Sequence, residues 1–150
     1  MPNCERPSRG WTPEGYSRRM SEQEFRVVVS SGDLRGDSSE GVVFPHRWTS
    51  GGVVVESDFT GAHLLHLSVA GCVLNDVHRE AERLAVPIEG VRVTAWGDFD
   101  REQWQSTGVT YSIEVVSSAE MDAIHALLVE VESVAEIPMA LRSGATVVRV

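Results

Sequence analysis

The chain has 150 residues, 22 Asp or Glu against 13 basic residues that are all arginine, and a net charge of −9. That balance, with no basic stripe, excludes general nucleic-acid binding, and no apolar run is long enough to span a membrane. With 42% apolar and 23% charged residues, the composition suits one soluble domain that buries a real core.

Residues 1–22 read as a flexible tail. Pro2, Pro7, Pro13, Gly10 and Gly15 break any periodicity, and Arg6, Arg9, Arg18 and Arg19 make it locally basic. Cys4, Glu5 and Pro7 stand where a signal peptide needs an apolar core. Residues 23–150 are expected to form a single domain. Phe25–Ser30 reads as a strand, Val42–Phe44 as a second stopped by Pro45, and Val53–Phe59 as a third, together an antiparallel meander. A helix is predicted from Gly61 to Ala85, capped by Thr60 or Asp58 and ended by Pro87. Its first half is apolar nearly all round and is expected to be buried on most sides, and its second half turns polar. Strands follow near Glu89–Asp98 and Val109–Val116, separated by a polar loop containing Trp104. Ser118 opens an amphipathic helix on which Ile124, Leu127, Leu128 and Val131 share a face. A short helix over Ile137–Arg142, a stop at Gly144 and a last strand over Ala145–Val150 complete an α+β layout with antiparallel sheets and a long buried central helix. One thin sheet covers only one side of such a helix, so a second copy of the chain is expected to cover the rest in an intimate homodimer.

Cys72 lies in the apolar, small-residue-rich run of the central helix. A thiol there is either core filler or a nucleophile in a dry pocket. At about 100° per residue, Ser68, Cys72, Asp76 and Arg79 share one side of the helix. Asp76, at i+4, can accept a hydrogen bond from the thiol and would oppose thiolate formation by like charge. Arg79, at i+3 from Asp76, can offset that charge. His63 and His66 fall roughly opposite. They are spaced to share a metal but lack a third ligand on their face, so no metal or other cofactor is expected. His46 and His78 are possible bases, with nothing in the sequence to bring either to Cys72. His125 reads as a boundary residue and Cys4 as exposed. Ser68 lacks a nucleophile elbow, and no phosphate loop or dinucleotide fingerprint is present.

The stretch Leu64-Leu65…Val69-Ala70-Gly71-Cys72, then a polar helix end, then Val86-Pro87-Ile88-Glu89-Gly90-Val91, resembles the OsmC/Ohr family of osmotically inducible and organic hydroperoxide resistance proteins. Ala140-Leu141-Arg142-Ser143-Gly144 resembles its closing helix and turn. The resemblance spans roughly residues 25–150 and is weakest in the first strands. It implies an OsmC-like α+β fold of two interlocked chains, with central helices back to back and each active site drawing on both subunits. It also implies thiol chemistry: a peroxidatic cysteine, matched by Cys72, attacks an organic hydroperoxide, and a second cysteine closes a disulfide with it. In this chain the place of the second cysteine is Ala135, followed by Glu136, and the place of the family's helix-start glutamate is Ala62, next to His63. For the family's arginine, Arg26, Arg35 and Arg47 are candidates, with Arg47 favoured by its loop position before the third strand.

The site residues expected to carry chemistry are therefore Cys72, Arg47, His63 and Asp76. Three functions stay open. One is a one-cysteine peroxidase reducing hydroperoxides with an external thiol. Another is a Cys72 enzyme acting on a different electrophile, with His63 or Asp76 carrying the proton. The third is a dimer that binds a small apolar ligand. Partners are a second copy, that ligand or hydroperoxide, and a reducing thiol, in the cytoplasm.

Overall fold

A computed structural model describes residues 23–149. The tail over residues 1–22, with Cys4, lies outside the described residues. The strands are β1 (Val27–Gly32), β2 (Val42–Phe44), β3 (Val53–Glu56), β4 (Gly90–Asp100) and β5 (Gln105–Val116). The helices are α1 (Gly61–Leu84), α2 (Met121–Val134) and α3 (Glu136–Ser143). The strands form one antiparallel five-stranded sheet in the order β2-β3-β1-β4-β5, against which α1 packs, so the α+β class holds.

Three expectations need correction. The opening strands are not a sequential meander: β1 pairs with β3, and β2 sits on the sheet edge beyond it. The segment 45–52, closing at Gly52 (φ +75°), joins β2 to β3 as an antiparallel hairpin at the sheet edge, and β1 pairs with β3 on one side and β4 on the other. The predicted loop before Val109 is instead mostly strand: β4 and β5 run on as a hairpin to Asp100 and Gln105, with a register shift between Gly97 and Phe99. Polar outward-facing residues there hid the strand pattern. Residues 145–149 form no strand. Val147 and Val148 are exposed, and a strand needs a neighbour to hydrogen-bond.

The expected burial of α1 on most sides included cover from a second copy, and within the single chain its cover is uneven. Its first half is the less covered half of this chain: Leu64 is exposed, and Leu65 and Leu67 are only half-buried. Its second half is the better buried, with Asp76, His78 and Glu80 under 9% exposed beside Val73, Leu74, Val77 and Ala81. The polar residues tolerate burial because each is paired. The sheet's Val27, Val29, Val91, Val93 and Ala95 pack on α1, with Leu127, Val131 and Ala135 completing the core.

Local chemistry sets the limits of α1. The Thr60 hydroxyl caps its start by accepting from the His63 N–H. At its end Ala85 is left-handed (φ 56°), with the Ala85 and Val86 N–H groups donating to the Glu82 and Ala81 carbonyls. This is a Schellman closure, with Pro87 following it. Only Ala135 separates α2 from α3, so the first turn of α3 is fixed against α1 near Cys72.

Candidate functional site

Cys72 is half-buried on α1, and its Sγ donates to Asp76 Oδ2 at 3.4 Å. Asp76 is 3% exposed, and its Oδ1 pairs with Arg79 at 2.9 Å. Arg79 in turn bonds Glu80, Glu80 bonds Arg83, and Arg83 reaches Glu130 on α2 at 2.7 Å. The thiol thus stands at one end of a carboxylate–guanidinium ladder running along α1 and across to α2.

Burial pushes the Cys72 thiol above its ordinary value, and the Asp76 carboxylate adds to this by like charge. The backbone N–H groups of Ile137 and Glu136, at the start of α3, pull the other way. Asp76 is itself raised, chiefly by burial, with Cys72 and Arg79 opposing. At neutral pH the resting group is a thiol, held beside backbone donors that would stabilise its anion. Asp76→Asn is expected to raise the rate of Cys72 alkylation by iodoacetamide several-fold at pH 8. Removing the like charge lowers the thiol's value and so raises the thiolate fraction, partly offset by the lower nucleophilicity of a more acidic thiol. Unchanged alkylation would show that the carboxylate does not set the thiol's state.

The other predicted site residues lie elsewhere. His63 is nine residues before Cys72, about 14 Å along the helix. Its Nδ1 meets the Thr60 hydroxyl at 2.7 Å and its Nε2 lies 3.8 Å from Asp58, so it belongs to the helix cap and does not reach Cys72 of its own chain. Arg47 lies in the β2–β3 loop with its guanidinium 5.5 Å from the Trp48 ring centre. It lines a cavity with Gly71 and Asn75, not with Cys72. Ala62 lines another cavity, of about 590 Å³, with Phe25, Leu65, Phe99, Arg101 and Trp104.

His66 is fully buried. Its Nδ1 donates to the Phe25 carbonyl at 2.8 Å, and its Nε2 has no partner. Among the described residues no three His, Cys, Asp or Glu side chains gather as a metal site would need. His125 is exposed, beyond the boundary position expected for it.

Two features escaped the sequence reading. One is the donor pair at Glu136 and Ile137, whose signal was the break at Ala135 between two helical patterns. The other is a cluster in which His46 and His78 meet at 5.1 Å between ring centres, with the Trp48 indole stacked on His78. His78 Nε2 lies 3.0 Å from the Ser31 hydroxyl. The aromatic, proline-broken segment Pro45-His46-Arg47-Trp48 was its sequence signal.

No helix of the described residues is long and apolar enough to cross a membrane. No curated protein matches the chain. An OsmC like protein from Mycoplasma pneumoniae superposes with a TM-score of 0.54 at 12% identity, covering 65% of this chain and 77% of that one. An OsmC-like hydroperoxide resistance protein from Jannaschia sp. CCS1 gives 0.47 at 16% identity, over 85% of this chain and 95% of that one. The family model described as OsmC-like protein matches residues 55–149, which takes in α1 with Cys72, the β4–β5 hairpin and both closing helices. The chain belongs to the OsmC-like family.

Proposed function

We propose that this chain is a one-cysteine, thiol-dependent peroxidase acting on apolar organic hydroperoxides. The observation that carries the reading is the place of Cys72. It is half-buried on α1, within reach of a carboxyl that can take its proton, and the backbone N–H groups of Ile137 and Glu136 at the start of α3 act to lower its thiol value.

In this reading Asp76 accepts the thiol proton, and the thiolate attacks the distal oxygen of the hydroperoxide. The O–O bond breaks, the alcohol leaves with the returned proton, and Cys72 becomes a sulfenic acid. An external thiol condenses with it, releasing water, and a second thiol exchanges the mixed disulfide back to Cys72. Ala135 offers no sulfur for an internal disulfide, so in this reading the thiol that resolves the sulfenic acid is external. Such a cycle suits a reducing compartment, and we place the protein in the cytoplasm.

We infer further that two chains pair through the open side of α1 that carries Leu64, Leu65, Ser68 and Cys72, none of which is fully covered in the single chain. Sedimentation equilibrium of the full chain at twice the monomer mass supports this, and a monomer overturns it.

The test of function is cumene hydroperoxide with dithiothreitol. Sustained peroxide loss with a transient sulfenic or mixed-disulfide adduct on Cys72 is expected, and at least a hundredfold loss of turnover in Cys72→Ser. Accumulation of sulfinic acid without turnover would sink the reading. One observation favours a second reading, a dimer that binds an apolar ligand: burial and Asp76 hold the thiol neutral. A ligand that copurifies equally with the wild type and Cys72→Ser would support that instead.

A further inference from the structure

The β2–β3 loop and α1 border an open cavity of about 410 Å³ that Cys72 does not line. Its floor is apolar, made by Val29, Val53, Val55, Leu67 and Leu74. Its rim carries His46, Arg47, Trp48 and Asn75, and no carboxylate lines it. Elsewhere on this acidic chain Arg79, Arg83 and Arg92 each have a carboxylate partner. Among the described residues Arg47, like Arg26, Arg35, Arg101 and Arg142, has no carboxylate within 4.0 Å, and it is the arginine that lines this cavity.

The loop that presents this cation is fixed to α1. The Trp48 indole N–H donates to Glu82 at 3.1 Å and the ring stacks on His78 with planes 14° apart. His46 bridges Thr49 at 2.7 Å and Asn75 at 3.1 Å. The Arg47 guanidinium itself is exposed and rests over this fixed indole ring, 5.5 Å from its centre, which limits the positions it samples. Gly71 opens the cavity to the helix backbone, since a Cβ there would meet nothing within 4 Å.

We propose that this cavity binds a small aromatic monocarboxylate, its ring on the apolar floor beside Trp48 and Phe44 and its carboxylate on Arg47. One guanidinium matches one carboxylate in a bidentate pair. A phosphate or a dianion would want a second guanidinium, and Arg47 is the one arginine in the lining. The volume sits at the low end of small-molecule sites, which sets the ligand's size. The site stands apart from the thiol chemistry proposed for Cys72.

The test is calorimetric titration of the full chain with naphthoate, using naphthalenemethanol as the neutral isostere. Naphthoate is expected to bind tenfold or more tightly than the alcohol. Arg47→Gln should reduce it to the alcohol's level, Gly71→Leu should abolish binding of both by filling the cavity, and Cys72→Ser and Arg35→Gln should leave naphthoate affinity unchanged. Circular dichroism checks that each variant is folded. Equal affinity for acid and alcohol, binding that survives Arg47→Gln, or no binding at millimolar naphthoate would each overturn the proposal. A wild-type chain that binds naphthoate but shows no peroxidase turnover would count against the Cys72 reading alone.

Discussion

Ala135→Cys is expected to change the fate of oxidised Cys72 from sulfinic acid to an internal disulfide. Ala135 is fully buried, with its N–H donating to Val131 O at 3.0 Å, and the backbone N–H groups of the next two residues act to lower the Cys72 thiol value. A thiol introduced there starts on the same short turn. A disulfide needs Cα atoms about 4.4–6.8 Å apart with Cβ vectors converging, a fit that the fixed α2–α3 junction favours. The added sulfur overfills a closed position, which costs about 1–3 kcal/mol and should lower the melting temperature of the reduced form. Made in a Cys4→Ser background and treated with one equivalent of cumene hydroperoxide, the variant should lose both remaining thiols and show a linked tryptic peptide pair. Its turnover with dithiothreitol should then resist excess peroxide, whereas the parent inactivates. If Cys72 still proceeds to sulfinic acid while the introduced thiol stays free, the junction does not sit where a resolving group must.

What was legible in the sequence follows the range of the interactions. The Thr60 cap, the closure before Pro87 and the pairs Cys72–Asp76 and Asp76–Arg79 are all contacts within one or two helical turns, so helical spacing alone is enough to foresee them. The same holds for Leu127 and Val131, both fully buried on one face of α2. Partner choice between strands is not local. Nothing in the residues of β1 states that it pairs with β3 and β4 rather than β2, because its Val-rich pattern suits any neighbour. The β4–β5 extension was missed for a related reason: most of β5 faces outward and carries polar residues, so it lacked the apolar signal by which a strand is recognised.

The helix α1 shows the limit of reading burial from composition. Apolar residues in its first half remain partly open, and charged ones in its second half are buried. What decides the latter is pairing: Glu80 is only 5% exposed yet bonds both Arg79 and Arg83, which hold its carboxyl below the ordinary range. Arg47 and His63 illustrate the same limit at the site. Helix spacing could show that His63 faces away from Cys72, but only the fold shows Arg47 on Trp48, at the rim of a separate cavity.

His78 should make the fold acid-sensitive above the range where carboxylates normally titrate. Burial, with the neighbouring His46 adding to it, lowers His78 from 6.5 to about 4. In the unfolded chain the same imidazole takes a proton near its ordinary value. Between those two values the unfolded state binds more protons than the native state, so stability falls as pH falls. The effect is absent above pH 6.5, grows through the interval and is complete below pH 4, with a total of about 3 kcal/mol. Glu80, held low by its arginines, loses its contribution only at still lower pH. Asp76, raised by burial, runs the other way, because protonation relieves its native charge. The difference between wild type and His78→Gln therefore isolates the imidazole: an amide can still reach Ser31 on β1 but does not titrate. Urea unfolding at pH 7 and pH 4.5 should show the wild type losing about 2–3 kcal/mol more than the variant. Parallel losses in the two proteins would mean that His78 is charged in the native cluster, and that its stacking on Trp48 and bond to Ser31 tolerate the extra proton.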